Sequence, residues 1–186
     1  DHLDDILDAE HIAICEIKEA FQQNKDDIAG IIIEPIQGEG GDNHFRSEFF
    51  KQLKTLSLEN EALLIYDEVQ TGLGITGKMW AHQCSCEPEC HSCNGHCKDR
   101  EPDIIGFGKK TQVCGIFVGK RIDEVENNVF HESSRLNSTW GGNIVDMVRV
   151  SLYLRIIENE NLVEHAGKMG NYLLSKLKDV QNEFHG

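Results

Sequence analysis

Three short polar blocks, each following an apolar run, hold the residue types that could do chemistry in this chain. Ile28 to Ile33 gives way to a Gly-rich stretch carrying Glu39. Ala62-Leu63-Leu64-Ile65-Tyr66 gives way to Asp67, Val69 and Gln70, and the run from Asp103 to Phe107 gives way to Gly108-Lys109-Lys110. A carboxylate ending an apolar strand costs free energy unless a cation or hydrogen-bond donors meet it. Asp67 is therefore read in two ways: as a cap for the turn that follows it, or as the partner of a buried cation. A lysine in a partly desolvated pocket binds its proton less tightly and becomes an amine nucleophile toward a carbonyl. One chemistry needs both groups. Pyridoxal phosphate takes a lysine amine on its aldehyde, and its ring nitrogen stays protonated beside a carboxylate. Lys109 and Asp67 meet that demand, although charges at strand ends are common in any α/β protein.

The surrounding periodicities place these blocks. From Asp8 to Asn24, Ala13, Ile17, Ala20 and Phe21 recur on one helical face. Phe49, Phe50, Leu53 and Leu56 do the same, as do Ile144, Val148, Leu152 and Ile156 after Gly141-Gly142. Leu162 to Phe184 forms a last helix with Leu173, Leu177 and Val180 along its face. Between them lie four mainly apolar runs: Ile28–Ile33, continuous and of the kind found in fully buried strands, Ala62–Tyr66, the short run Asp103–Phe107, and Val113–Val118. The alternation predicts an α/β fold: a mainly parallel sheet with helices on both faces. Parallel strands put their carboxyl ends on one edge, where such sheets hold ligands.

The bulk composition narrows the partners. A chain of 186 residues is long enough for a real core. Its net charge of -14, with no basic stripe to offset it, argues against nucleic acid and anionic membranes. No apolar run approaches the roughly 20 residues of a membrane span, and the acidic start does not read as a secretory signal. The expected location is intracellular, with the cytoplasm favoured over a mitochondrial setting. Beginning at Asp1 without Met and ending just after a helical pattern, the sequence reads as an internal excerpt of a longer protein. Cys15 and Cys114 sit alone in apolar patterns and are expected to be buried thiols.

The residues of the three blocks are more specific than their spacing. Ile33-Glu34-Pro35-Ile36-Gln37-Gly38-Glu39-Gly40-Gly41, Asp67-Glu68-Val69-Gln70-Thr71-Gly72 and Phe107-Gly108-Lys109-Lys110 resemble the three signature blocks of the class III, fold type I aminotransferases. Within that class, Gly108-Lys109-Lys110-Thr111-Gln112-Val113-Cys114-Gly115 and the block from Ser134 to Asn143 resemble the lysine 6-aminotransferase subfamily. The resemblance implies that residues 1–160 are part of the large, pyridoxal phosphate-binding domain. Residues 161–186 would be a helix leading toward a C-terminal small domain.

The resemblance also implies roles. Lys109 would bond covalently to the cofactor and move the proton at the substrate carbon, since the family's lysine directly follows the small residue, here Gly108. Lys110 is the competing choice and reads as a neighbouring structural or surface lysine. Asp67 would pair with the ring nitrogen, Val69 would pack on the ring face and Gln70 would hydrogen-bond the ring hydroxyl. Glu39 would gate the site by pairing with an arginine beyond Gly186. Thr139 would donate to the cofactor phosphate of a neighbouring subunit, which makes the active site a shared feature of a homodimer. The phosphate loop, the stacking aromatic and a substrate-carboxylate arginine would lie upstream of Asp1, so the excerpt alone is expected to be inactive. The implied reaction uses amino acid and 2-oxo acid substrates. It moves the ε-amino group of L-lysine to 2-oxoglutarate, giving 2-aminoadipate 6-semialdehyde and glutamate. The rival readings are an ω-aminotransferase acting on 4-aminobutyrate or ornithine, and a non-catalytic aminotransferase-like interaction protein.

One stretch departs from the family pattern, a Cys-rich insertion at 83–100. Five cysteines fall between Cys84 and Cys97, with Cys-x-Cys and Cys-x-x-Cys spacings and His91 and His96 interleaved. Thiolates at such spacing can close a tetrahedral zinc site and fasten a loop that has no core. Cys86, Cys90, Cys93 and Cys97 are the candidate ligands of a structural zinc. Free thiols, a local disulfide or a spurious insertion are the alternatives. No partner for an activated water is evident, so no catalytic role is expected of it.

Overall fold

The computed structural model describes residues 2–85, 97–136 and 139–184, with only the backbone described for His2 and Ser85. Its elements run α1 (His2–Gln23), β1 (Gly30–Ile33), β2 (Ile36–Gln37), β3 (Asn43–His44), α2 (Ser47–Glu59), β4 (Leu63–Asp67), a 3₁₀ turn (Ala81–Ser85), β5 (Ile104–Phe107), β6 (Gly115–Val118), α3 (Lys120–Asp123), α4 (Ile144–Asn159) and α5 (Leu162–Phe184). The fold is α/β. Four strands form a sheet in the order β1-β4-β5-β6, and β2 and β3 form a separate hairpin.

The sheet is mainly parallel, as the apolar runs predict. β1, β4 and β5 run parallel, with Ile32 level with Ile65 and Asp67 level with Gly106. β6 runs antiparallel to β5. The chain between Phe107 and Gly115 is too short for the crossover that a parallel return requires, so it turns back directly.

Side-chain alternation decides what β4 buries. Leu64 and Tyr66 point to the covered face and are almost completely buried. There they meet Phe49, Phe50, Leu53 and Leu56 of α2 and Ile14 of α1, which together form the core. The Phe50 and Tyr66 rings meet edge to face at 5.4 Å, a favoured geometry for their quadrupoles. The opposite face is more open, with Ile32 67% exposed.

A buried charged cluster fastens the amino end of β5. Asp103 accepts from Lys54 of α2 at 2.8 Å, from the Leu64 amide at 2.8 Å and from Arg121 of α3 at 2.7 Å. The Tyr66 hydroxyl donates to the Arg100 carbonyl at 2.9 Å, and burial pushes its pKa above the usual tyrosine range.

The helical faces read from the sequence form, but α4 and α5 pack mainly on each other. Their apolar residues, among them Ile144, Leu152, Leu173 and Leu177, remain largely exposed among the described residues. Cys15 and Cys114 correct an expectation, for both are exposed. Cys15 follows Ile14, which occupies the buried face of α1, and a step of one residue turns the helix by about 100° away from the core. Cys114 precedes β6, an edge strand whose Phe117 is itself 55% exposed. No helix among the described residues is long and apolar enough to cross a membrane.

Candidate functional site

The alternation of β4 continues past its last residue. Glu68 falls on the covered face with Leu64 and Tyr66 and is fully buried. Asp67 and Val69 fall on the other face and are half-buried. Asp67 therefore stands open at the carboxyl edge of the sheet. Its Oδ1 accepts from the Val69 amide at 3.0 Å, the capping contact that one reading of this residue predicts. Among the described residues Oδ2 accepts no hydrogen bond, so the capping role leaves half of the carboxylate available.

The three polar blocks converge on Gln70. Gly38, of the first block, lies so close that a Cβ there would come within 3.0 Å of Gln70 Nε2. Lys110, of the third block, donates to the Gln70 carbonyl oxygen. Burial, and then the neighbouring Lys109 charge, hold the Lys110 ammonium below the usual lysine range. Lys109 itself is exposed, with no ion-pair or hydrogen-bond partner among the described residues. It follows β5, the neighbour of β4, and starts a turn closed by the Thr111 amide on the Gly108 carbonyl at 2.7 Å.

Glu39 is exposed in the turn joining β2 to β3. That turn is closed by the Gly41 and Asp42 amides on the Gly38 carbonyl, with Gly41 at φ +113°, a conformation that glycine adopts without strain. Thr139 is also exposed, in the turn preceding α4. Neither touches the Gln70 cluster through a described hydrogen bond. Cys86, Cys90 and Cys93 lie outside the described residues. Cys97 is buried, and its carbonyl accepts from the Arg100 amide. No group of three or more His, Cys, Asp or Glu among the described residues is placed to hold a metal ion.

Glu68 is the residue that sequence reasoning missed. Its Oε2 accepts from the Thr71 hydroxyl at 2.7 Å and the Ala81 amide at 2.8 Å. Its Oε1 accepts from the His82 amide at 2.9 Å and lies 2.8 Å from His82 Nδ1. Burial raises the pKa of this carboxyl group, but the donors from His82, Thr71 and Ala81 outweigh it and leave it below the usual glutamate range. The sequence held part of the signal: alternation puts Glu68 on the same face as Leu64 and Tyr66 and Asp67 on the other, but packing against α1 and α2 is what covers that face.

These groups are of the types that a pyridine aldehyde would need: a carboxylate for its ring nitrogen and an amine for its aldehyde. Among the described residues, one Asp67 oxygen and the Lys109 ammonium at the adjacent strand end have no hydrogen-bond partner, and Gln70 follows Asp67 by three residues. The cavity of 650 Å³ bounded by Met79, Leu154, Ile157 and Val163 holds none of these groups.

Comparison with known proteins shows the family of the chain. The pattern of the family "Aminotransferase class-III" matches residues 2–185. L-lysine-epsilon aminotransferase of Mycobacterium tuberculosis is 50% identical over 178 residues, covering 96% of this chain and 36% of that protein. The mitochondrial 4-aminobutyrate aminotransferase of Sus scrofa is 34% identical over 165 residues, covering 88% of this chain and 29% of that protein. The solved structure of the M. tuberculosis lysine aminotransferase superposes with a TM-score of 0.82 at 50% identity, covering 94% of this chain and 37% of that one. The chain thus spans little more than a third of the length of its lysine aminotransferase relatives.

Proposed function

The chain belongs to the class III aminotransferases, and on that premise we propose that the whole protein is a pyridoxal phosphate-dependent enzyme exchanging an amino group between an amino acid and a 2-oxo acid. The observation that carries this reading is the convergence of Gly38, Gln70 and Lys110, one residue from each polar block, beside a half-open Asp67. When bound, pyridoxal phosphate supplies an electron sink that makes hydrogen on the amine-bearing carbon acidic.

The chain's own residues do the rest. Lys109 would hold the cofactor and, as an amine, would carry the proton at the substrate carbon. The open oxygen of Asp67 keeps a proton at the ring nitrogen. Val69 packs against the ring, and the Gln70 amide donates to the ring hydroxyl. Glu39, exposed on its hairpin, is the gate that admits two substrates in turn. Thr139 reaches the phosphate of a second subunit, which makes the homodimer the active form. Residues 1–160 belong to the cofactor-binding domain, and 161–186 lead to a smaller one.

L-lysine is the proposed amino donor and 2-oxoglutarate the acceptor, giving 2-aminoadipate 6-semialdehyde and glutamate in the cytoplasm. The greater identity to a lysine aminotransferase than to a 4-aminobutyrate aminotransferase favours this choice. The isolated chain is proposed to be inactive because it spans so little of its relatives. A structural zinc on Cys86, Cys90, Cys93 and Cys97 remains part of the proposal, and metal content near zero in the purified protein would remove it.

The decisive experiment uses the full-length protein. Pyridoxal phosphate titration is expected to give a visible absorption band that Lys109→Ala abolishes. Turnover with 2-oxoglutarate is expected to be fastest with L-lysine in a panel including 4-aminobutyrate and L-ornithine. A band that survives Lys109→Ala would overturn the assignment of Lys109, and a preference for either other donor would overturn the choice of substrate.

A further inference from the structure

We propose that Glu68 is a positioning residue, whose buried carboxylate sets the placement of Val69 and Gln70 for the cofactor; this rests on the reading of the site given above. Val69 and Gln70 occupy the two positions between Glu68 and Thr71, and the Thr71 hydroxyl is bonded to the Glu68 carboxylate at 2.7 Å. The two proposed cofactor contacts are thus displayed from a turn whose ends are tied by one side chain. The Glu68 amide donates to the Gly106 carbonyl of β5 at 2.9 Å, and its carbonyl accepts from the Gly72 amide at 2.9 Å. The turn is therefore fixed to the strand that leads to Lys109.

The same carboxylate reaches across to the segment following the turn. It accepts from the Ala81 and His82 amides and meets the His82 ring, which packs against Tyr66 at 5.5 Å. Four polar contacts on two oxygens, in a site closed to water, hold this geometry more firmly than hydrophobic contacts alone. Charge-assisted bonds are stronger than neutral ones and are directional. A neutral amide in place of the carboxylate would turn an NH₂ group toward donors, leaving a buried donor without an acceptor. The backbone at Val69 and Gln70 would then relax.

The test is made on the full-length protein with Glu68→Gln, and with Glu61→Gln as a surface control. Pyridoxal phosphate affinity and the absorption spectrum of the bound cofactor are measured beside the thermal midpoint of the cofactor-free protein. The expected result for Glu68→Gln is a rise of about tenfold in the cofactor Kd with a displaced absorption band, neither seen with Glu61→Gln. Glu68→Asp, which keeps the charge on a shorter stem, is expected to recover part of the affinity. A variant that loses thermal stability yet keeps the parent's Kd and spectrum would show a purely structural role and overturn the proposal. Should Glu68→Gln not fold, Thr71→Val removes one donor and decides the matter on the same readouts: unchanged Kd and spectrum overturn the proposal. A parent protein that binds no pyridoxal phosphate would instead overturn the functional reading itself, and this proposal with it.

Discussion

Lys54 Nζ lies 2.8 Å from Oδ1 of Asp103, and both side chains are buried. The other Asp103 oxygen takes the Leu64 amide and the Arg121 guanidinium. This carboxylate therefore joins α2, β4 and α3 at the start of the strand that leads to Lys109. Removing it leaves the buried Lys54 charge without its counter-ion. Asp103→Ala is expected to cost about 3–5 kcal/mol, measured by urea unfolding of the full-length protein.

Phe50 is 2% exposed and meets Tyr66 edge to face. Its truncation opens a cavity beneath β4, which neighbouring side chains only partly refill. Phe50→Ala is expected to destabilise by about 3–5 kcal/mol, and the more volume-preserving Phe50→Leu by less. The comparison of their unfolding free energies checks this.

Gly72 ends the turn that displays Gln70. A Cβ there would lie 2.7 Å from Trp80 Cζ3 and 2.9 Å from the Glu68 carbonyl oxygen. The ring is large and the carbonyl is backbone, so neither moves cheaply. Gly72→Ala is expected to destabilise by about 1–3 kcal/mol and to weaken pyridoxal phosphate binding, readable from thermal melts with and without the cofactor.

The Glu68 carboxyl gives the acid limb of the stability profile a definite sign. Folding lowers its pKa, so at mildly acid pH the folded state holds fewer protons than the unfolded chain. Its stabilising contribution is complete above the ordinary glutamate range and disappears as the pH falls through the lowered value. Unfolding midpoints measured down the acid range are expected to fall more steeply in the parent than in Glu68→Gln, where the group cannot titrate.

Lys110 donates to the Gln70 carbonyl, whereas Lys109 has no described partner. Lys110→Met is therefore expected to retain the covalent cofactor band while lowering affinity. Lys109→Met is expected to lose the band altogether. Absorption spectra after borohydride reduction distinguish the two.

Much of the architecture was legible in the residues. The spacing of Phe49, Phe50, Leu53 and Leu56 gives the buried face of α2, and the four apolar runs become the four strands of the main sheet. The Gly-rich block becomes the turn carrying Glu39 because glycines allow the backbone it needs. These features depend on local periodicity and local backbone freedom, which a single sequence records directly.

What the sequence by itself determined is the type and order of these elements and the family blocks that they carry. Only the tertiary structure decided which of two adjacent carboxylates is buried. Asp67 stays half-open and Glu68 disappears beneath the turn, because the pleat assigns them to opposite faces and residues far along the chain, Ala81 and His82, supply donors to only one. It likewise put Lys110 rather than Lys109 against Gln70, and left Cys15 and Cys114 in solvent. Burial, ion pairing and thiol exposure depend on which distant segments come together, and that is a property of the packed chain rather than of any local pattern.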